Sequence, residues 1–260
     1  MRSGSEPSSL RIVSAYGERR VVGPSVSRRT FGVPPGGPFD RLSAALANAL
    51  VGLPDDAPIL EITLGPVVFE AFEALTLAVV GGPDGAFPLR PRERIEVRPV
   101  GARAYVAVGP LAPKRVLADP PRLGDRPLRV LPGPQLDRAR FVAEGYTVGL
   151  ASNRVGVRLE GATMPHDLSL PSEPAIPGVV QVPPGGSPIV LGPDGPTIGG
   201  YPKVAVVIDA DLDRVGRLRP GDAVRFREVS TDEARAATYE AKRERTIRTA
   251  ELKVIKELGI

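Results

Sequence analysis

The sequence contains no cysteine and only one histidine, His166. The first absence excludes disulfide bonds, thiolate metal sites and cysteine nucleophiles. A Ser-His-Asp triad would have to recruit His166, and the chain has no GxSxG motif to supply its serine. Neither an HExxH helix nor a DxDxDG loop is present, so we expect no metal site.

Long apolar runs and aromatic residues are scarce as well. No run approaches a membrane-spanning helix, and the first residues lack the apolar stretch of a signal peptide, so we expect a cytoplasmic protein that contacts no membrane. Aromatics make up 5% of the chain, and its net charge of +4 comes from basic residues scattered among acidic ones. Nucleic-acid-binding proteins more often carry a basic face with stacking aromatics, so we predict no nucleic-acid partner.

Phosphate-binding signatures are also missing. The chain has no GxxxxGK[ST] loop, and no GxGxxG opens a helix after a strand. Any ATP chemistry would therefore depend on another subunit or on an unfamiliar site.

The sequence is rich in turn formers, with 29 glycines and 30 prolines set between short apolar runs. Many short strands joined by such turns are typical of a barrel or sandwich, so we predict a mostly-β fold. We divide it into a first β half over residues 10–126, a second over 127–230 and a charged helix over 231–260. The predicted strands are 10–15, 59–64, 67–70, 75–80, 94–98, 103–108, 128–131, 146–150, 155–159, 179–182, 188–191, 203–208 and 223–229.

Helices are expected at three places. Apolar residues from Leu42 to Leu50 fall on one helical face after Asp40, and a short helix is expected near 137–143. Residues 231–258 alternate in charge and carry a narrow apolar stripe of Ile247, Ala250, Val254 and Leu258. That stripe either packs against the protein's own body or fits a partner's groove.

Three loops carry candidate chemistry. GVPPGGPFD at 32–40 combines stiff prolines with glycines that let backbone approach a ligand, and the helix after Asp40 offers amides to an anion; a stiff helix entry explains it equally well. In 152–160, the even spacing of Arg154 and Arg158 predicts two guanidiniums on one strand face, suited to carboxylate or phosphate, or simply solvated. In DGPTIGGYPK at 194–203, acid, hydroxyl, amine and exposed amides share one turn, which is otherwise a decorated glycine hairpin.

An ordered set of blocks resembles one family. GVPPGGPFDRLSAALANALVG followed by LEITLGP is similar to the start of the 5-oxoprolinase C-subunit family, also called allophanate hydrolase subunit 2 or the biotin-dependent carboxyltransferase family. RVLPGPQ, SNRVGVRLEG, GVVQVPPGGSPIVL, DGPTIGGYPKVAVVIDADL and RLRPGDAVRFREVS resemble its later blocks in the same order. The resemblance covers roughly residues 10–235.

The resemblance implies two cyclophilin-like β-barrel halves with a few short helices. It implies one component of an ATP-dependent 5-oxoprolinase, which opens 5-oxo-L-proline to L-glutamate together with a B-subunit homologue, as a heterotetramer, and an A-subunit homologue. ATP is then bound at the level of the complex. Two alternatives stay open: a biotin-dependent carboxyltransferase acting on a urea-like amide, with biotin on a separate carrier, or a non-catalytic regulatory partner of the B-subunit homologue, which is related to a kinase inhibitor.

The matching blocks also imply site residues. We predict catalytic roles for Arg154, Asp194 and Lys203. The residues predicted to bind substrate are Pro35, Gly36, Asp40, Asn153, Arg158, Gln181, Thr197, Gly200 and Tyr201.

The sequence departs from the family's pattern at two loops of the first half. Where the family usually has a segment like TTVQDLGRPGY, this chain has AYGERRVVGPSVSRRT. After AYVAV the family has GGI and a Ser/Thr- and Gly-rich loop, whereas this chain has GPLAPKRVLADPPRLGDRP. In the second half the family's DRQT is DGPT, which removes one amide side chain. Two candidate site loops, 16–31 and 109–127, are therefore degraded, which is compatible with a weakened or purely structural subunit.

Overall fold

The computed structural model describes residues 9–26, 28–122, 124–168 and 170–258. The predicted mostly-β fold class is confirmed, with 34% of residues in strands and 22% in helices. The chain divides into two compact units that are each discontinuous in sequence. Unit 1 holds the described residues of 1–23, 42–121 and 245–260, and unit 2 holds those of 24–41 and 122–244.

Unit 1 is built from two sheets and one packed helix. A three-stranded sheet has the order β1-β4-β7, and a six-stranded sheet has the order β2-β3-β8-β5-β6-β9. The strands are β1 (Leu10–Ala15), β2 (Glu18–Val22), β3 (Ile59–Thr63), β4 (Val67–Ala71), β5 (Leu75–Val80), β6 (Gly85–Leu89), β7 (Arg94–Val97), β8 (Arg103–Pro110) and β9 (Arg115–Val116).

The core of unit 1 explains why β5 reads as a continuous apolar run. All six residues of LTLAVV are buried, and β5 pairs with β8 on one side and β6 on the other. Helix α1 (Arg41–Leu50) packs Leu46 and Leu50 against Val80 and Tyr105. A strand covered on both faces has no polar alternation to preserve.

Unit 2 is centred on a closed barrel of seven strands, ordered β10-β17-β14-β15-β12-β11-β18 and closed by parallel pairing of β18 with β10. Its core includes the aromatic cluster of Phe141, Tyr146 and Phe226, with ring centroids 4.6 to 5.9 Å apart. A two-stranded sheet of β13 and β16 lies outside the barrel order. The elements are β10 (Leu128–Pro132), α2 (Arg138–Ala143), β11 (Gly145–Val148), β12 (Gly156–Gly161), β13 (Glu173–Pro174), β14 (Val179–Gln181), β15 (Ile189–Leu191), β16 (Ile198–Gly199), β17 (Lys203–Val207), α3 (Leu212–Arg217) and β18 (Ala223–Glu228).

The last helix, α4, runs from Thr231 to Leu258, and residues 259 and 260 lie outside the described part of the chain. Its end is anchored within unit 1 because Thr249 and Lys253 both bind Asp55, at 2.9 and 2.6 Å. Ile247, Ala250 and Val254 are exposed, so the expectation that this stripe packs against the protein's own body is wrong for these three. Thr249 is buried and Leu252 packs against the core of unit 1 instead. The side chain of Leu258 lies outside the described set.

Every predicted strand is present, and β1 and β5 begin and end at the predicted residues. The structure adds strands in segments where we predicted none. Among these are β2, whose residues ERRVV are mostly charged, and β6, whose residues GAFPL contain glycine and proline. Among the described residues, no helix is long and apolar enough to cross a membrane.

Candidate functional site

The glycine- and proline-rich loop of residues 24–41 is fixed against the rest of unit 2 by backbone hydrogen bonds. Within the loop, Val26 N donates to Pro35 O at 2.9 Å, and Gly36 N donates to Pro193 O at 3.0 Å. Gly37 has φ +80°, and a Cβ there would stand 2.3 Å from Ser25 Oγ. The loop's path therefore requires glycine at this position.

Arg154 clamps this loop to the turn after β15. Its Nε and Nη2 donate to the two carboxylate oxygens of Asp194 at 2.9 and 2.8 Å, and Nη2 also donates to Gly37 O at 2.7 Å. Arg154 is only 5% exposed. A buried, bidentate pair of this kind fixes geometry in a low-dielectric setting. In this structure Arg154 and Asp194 hold the loop in position.

A pocket of about 400 Å³ opens beside the clamp, and we call it the loop pocket. Pro35, Gly36, Phe39, Ile176 and Pro193 supply much of its apolar wall. Its polar rim consists of Ser25, Arg29, Arg41 and Asp209. Ligand pockets are typically apolar with a few placed polar groups, and their volumes start near 300 Å³, so this pocket is large enough for a small ring.

Arg41 joins the loop pocket to two partly buried acids. Its guanidinium donates to Asp213 Oδ1 at 2.9 Å and to Asp209 Oδ1 at 2.7 Å, and its backbone N also donates to Asp213 at 3.1 Å. Burial alone would lower the pKa of Arg41, but Asp213 and Asp209 together raise it above its ordinary value. Arg41 is therefore a permanent cation at the pocket's edge.

Two further members of this network are Asp40 and Arg217. Asp40 is 2% exposed, and its oxygens accept from Arg217 Nε at 2.5 Å and Nη2 at 2.9 Å. Burial raises the pKa of the nearby Asp213 carboxyl, Arg41 opposes this, and the charge of Asp40 raises the pKa further. The side chain of Asp40 thus pairs with a cation inside unit 2.

A second polar group, which we call the lysine cluster, consists of Lys203, Glu173 and Gln181. Lys203 is 7% exposed, and its Nζ lies 2.7 Å from Glu173 Oε2. Gln181 pairs with Lys203 across β14 and β17. Gln181 is 4% exposed, and its Nε2 finds no hydrogen-bond partner among the described residues. A buried amide donor left unpaired is costly, so this atom is a candidate ligand contact.

The paired glycines let the chain pass close to the lysine cluster. A Cβ on Gly199 would stand 2.8 Å from Gln181 Nε2, and one on Gly200 would stand 2.8 Å from Leu170 O. Gly199 also pairs with Glu173 across β13 and β16. The turn predicted from DGPTIGGYPK therefore brings β16 against the barrel. A side chain at either glycine would prevent this close approach.

The remaining predicted residues are placed differently from one another. Asn153 Oδ1 accepts from Val155 N at 2.8 Å and Gly156 N at 3.3 Å, which makes a local turn. Thr197 is buried, and its carbonyl accepts from Ala175 N. Tyr201 is 47% exposed.

The prediction that Arg154 and Arg158 share one face is wrong. Arg154 is buried, whereas Arg158 is exposed. The even spacing fails because Arg154 lies before β12 begins at Gly156, so strand alternation does not yet apply to it.

The comparisons with known proteins agree with this architecture. A family model described as "Carboxyltransferase domain, subdomain A and B" matches residues 31–88 and 80–228. The chain is also 31% identical to the 5-oxoprolinase C subunit of Escherichia coli (strain K12), over 83% of this chain and 89% of that protein.

The chain belongs to this carboxyltransferase family.

Other relatives are matched over smaller parts of their length. Urea amidolyase of Saccharomyces cerevisiae is 26% identical over 79% of this chain, which spans only 16% of the yeast protein. The crystal structure of TTHA0988 is 30% identical, with a TM-score of 0.76, and this chain covers 57% of it. The Kluyveromyces lactis urea amidolyase structure has the same fold, with a TM-score of 0.76 over 95% of this chain at 22% identity.

Within this carboxyltransferase chain, sequence reasoning missed Arg29, Arg41, Asp209, Asp213 and Glu173. Asp209 and Asp213 directly follow the strand that carries Lys203, in DADLD, and two acids just after a buried strand are a usable signal. Arg41 gives no such signal, since its partners lie 168 and 172 residues away in the sequence. His166 pairs with Val182 O at 2.8 Å, and the described residues contain no cluster of metal-ligating side chains.

Proposed function

We propose that this chain acts as the C subunit of a multi-subunit, ATP-dependent 5-oxoprolinase, which hydrolyses the lactam of 5-oxo-L-proline to L-glutamate together with A-subunit and B-subunit homologues. The observation that carries the proposal is the likeness to the E. coli 5-oxoprolinase C subunit over 89% of that protein's length. The extent of this match makes a shared role within an assembly the simplest account.

The loop pocket suits part of such a substrate. Its volume of about 400 Å³ accommodates a five-membered lactam, and Phe39 and Ile176 offer apolar walls to the ring. Arg29 places positive charge at the rim, where a substrate carboxylate would lie, whereas the charge of Arg41 there is already paired with Asp209 and Asp213. In this proposal Arg154 and Asp194 are positioning residues, since both are engaged in holding Gly37 and each other.

The lysine cluster, whose residues do not line the loop pocket, offers a second set of groups to the complex. Gln181 Nε2 is a donor without a partner in the described structure, and Lys203 beside it carries positive charge. Such donors stabilise negative charge on a carbonyl oxygen when water adds to a lactam. We assign to Gln181 and Lys203 the recognition of an acyl oxygen, and assign ATP binding to the assembled complex.

Co-expression with the A-subunit and B-subunit homologues tests the proposal. We expect a complex that co-purifies with this chain and releases glutamate from 5-oxoproline only with ATP. Gln181→Met should lower kcat by about 10²-fold, the usual effect of losing one oxyanion donor, without dissociating the complex. A complex whose kcat is unchanged by Gln181→Met would remove Gln181 from the chemistry, and unchanged turnover without this chain would overturn the proposal.

Carboxyl transfer to a urea-like amide is the second candidate, favoured by the family model and by the urea amidolyase relatives. The chain contains only two methionines, Met1 and Met164, and has no Met-Lys-Met sequence to accept biotin. Carboxybiotin on a separate carrier would therefore supply the carboxyl group. The same purified complex can be incubated with urea and free carboxybiotin. Loss of biotin-bound carboxylate that depends on urea would favour this candidate over lactam hydrolysis. A stable complex inactive in both assays would indicate the regulatory alternative.

A further inference from the structure

A separate pocket of about 400 Å³ lies in unit 1, between β9 and the end of α4, and we call it the helix pocket. Leu46, Leu50, Leu252 and Ile255 give it an apolar lining. Two arginines, Arg115 and Arg248, and two acids, Asp119 and Glu251, also line it, and Arg248 lies 3.8 Å from Asp119. An apolar cavity with guanidinium groups in its wall matches an amphipathic anion.

Arg115 is the unusual member of this pocket. Its Nη2 donates to Leu252 O at 3.2 Å, but its Nη1 is buried and finds no hydrogen-bond partner among the described residues. Burial lowers the pKa of Arg115, and no neighbouring carboxylate offsets this. No ion pair to Arg115 occurs in the described part of the chain.

Arg115 is partly buried, and arginines that are more deeply buried in this protein are compensated. Arg103 lies 3.2 Å from Glu61, Arg154 lies 2.8 Å from Asp194, and Arg217 lies 2.5 Å from Asp40. A guanidinium that is partly desolvated without an anion is costly, and native structures normally avoid the situation. The exception at Arg115, beside a cavity, indicates a place for an anion from outside the chain.

We propose that the helix pocket binds a small aliphatic carboxylate, with its carboxylate on Arg115 and its hydrocarbon part against Leu46, Leu50 and Leu252. A carboxylate against the guanidinium would supply the anion that Arg115 lacks in this structure. The leucines exclude water from that contact, which strengthens it. A neutral amide of the same shape carries no negative charge, so its contact with Arg115 is weaker and gains less from the exclusion of water.

This site is distinct from the candidate site described above. The loop pocket and the lysine cluster belong to unit 2, whereas every residue of the helix pocket belongs to unit 1. The family match ends at residue 228, before the part of α4 that forms one wall. Arg115 lies in the segment GPLAPKRVLADPPRLGDRP, where this sequence departs from the family's pattern.

Calorimetric titration of the purified full chain with isovalerate, and with isovaleramide as the matched neutral compound, tests the proposal. We expect saturable binding of isovalerate with a Kd on the order of 1 mM and at least about tenfold weaker binding of the amide. Arg115→Met should weaken isovalerate binding by at least about tenfold, while Arg98→Met, at an exposed arginine of the same unit, should leave it unchanged.

A second variant guards against misfolding of the first. Ala118 is exposed and lines the helix pocket, so Ala118→Trp should block binding without disturbing the core. Retained binding in both variants, equal binding of the amide, or no saturation by about 50 mM isovalerate would each overturn the proposal. Because the assay measures binding by the isolated chain, its outcome is independent of 5-oxoprolinase activity.

Discussion

Arg154 is a single residue whose contacts hold the loop of residues 24–41 in position, and its removal should affect the stability of the fold. Arg154 is buried and pairs in a bidentate arrangement with Asp194, which is partly exposed, and one of its nitrogens also holds the loop at Gly37. Removing one partner of such an ion pair lowers the stability of the fold more than replacing both partners does. The charge that remains after a single replacement has lost its counter-ion.

Arg154→Met is therefore expected to lower the free energy of unfolding by about 3–5 kcal/mol. The double variant Arg154→Met/Asp194→Leu should be less unstable than Arg154→Met alone, since no uncompensated carboxylate remains. Urea unfolding of the full cycle measures this. Arg98→Met, at an exposed ion pair, is the control and should hardly move the midpoint. A double variant less stable than either single variant would contradict the argument.

Asp213 gives a prediction with a defined pH window. Its folded pKa is raised by burial and by Asp40 against the opposing charge of Arg41, above the value of about 3.9 expected in the unfolded chain. As pH falls, the carboxyl of Asp213 is therefore protonated in the folded state before it is protonated in the unfolded chain. The ionised carboxylate destabilises the fold, so the stability of the fold rises as pH falls through the folded pKa.

The free energy of unfolding of Asp213→Asn, relative to that of the parent protein, should consequently be highest at neutral pH. We expect its relative stability to decline as pH falls toward about 4, because the parent regains stability by protonation in that window. Urea unfolding at several pH values checks the sign. A stability difference that does not vary with pH, or that varies in the opposite direction, would show that the carboxyl titrates normally.

Much of the candidate site lies beyond sequence inference at this scale. Asp194 and Lys203 were found because they sit in one dense turn. Arg41 and Asp213 lie 172 residues apart, and nothing local in either segment indicates the pairing. The alternation rule placed Arg154 and Arg158 together because it assumed that the strand began before Gly156.

Glycines decide the path of whole elements and loops. Gly36 and Gly37 both have positive φ, at +62° and +80°, but a Cβ would meet Ser25 only at Gly37. An alanine at Gly36 would therefore add backbone strain alone, whereas an alanine at Gly37 would add both backbone strain and a clash with Ser25.

Gly37→Ala should be less stable than Gly36→Ala, although each costs roughly 1–2 kcal/mol through left-handed backbone strain. The added conflict with Ser25 should also speed hydrogen exchange at the amides of Val26 and Gly36, which hold the loop. Equal stability of the two variants, with unchanged exchange at Val26, would show that the loop adapts to the added methyl group.

The last turns of α4 depend on Asp55. Thr249→Val removes a buried hydrogen bond to Asp55 and should cost about 1 kcal/mol, with faster hydrogen exchange over 245–258. Arg243→Met, at an exposed residue of the same helix, is the matched control. Faster exchange confined to the control would contradict this anchoring.

Elements with strong periodicity were predictable, and those defined by their partners were not. α1 and β5 carry clear apolar patterns, so their location followed from the sequence. β2 is a strand because it pairs with β3, despite the charges in ERRVV. α3 is six residues long and contains Gly216, where a Cβ would stand 2.9 Å from Phe39 O, so packing rather than propensity explains it.

The whole molecule departs from a simple two-part reading of the sequence. Residues 24–41 belong to unit 2 although they precede most of unit 1, and residues 245–260 return to unit 1. Long-range pairing of this kind leaves no local trace in composition. The glycine- and proline-rich loop and the barrel that holds it are thus brought together only by the fold.

We propose above that this chain is a required component of a 5-oxoprolinase. The most direct measurement is glutamate release from 5-oxoproline and ATP by the purified A-subunit and B-subunit homologues, with this chain omitted, added back, or added as Gln181→Met. The account predicts no release above background on omission, full release on addition, and about 10²-fold slower release with Gln181→Met. Release at the same rate in all three mixtures would contradict it.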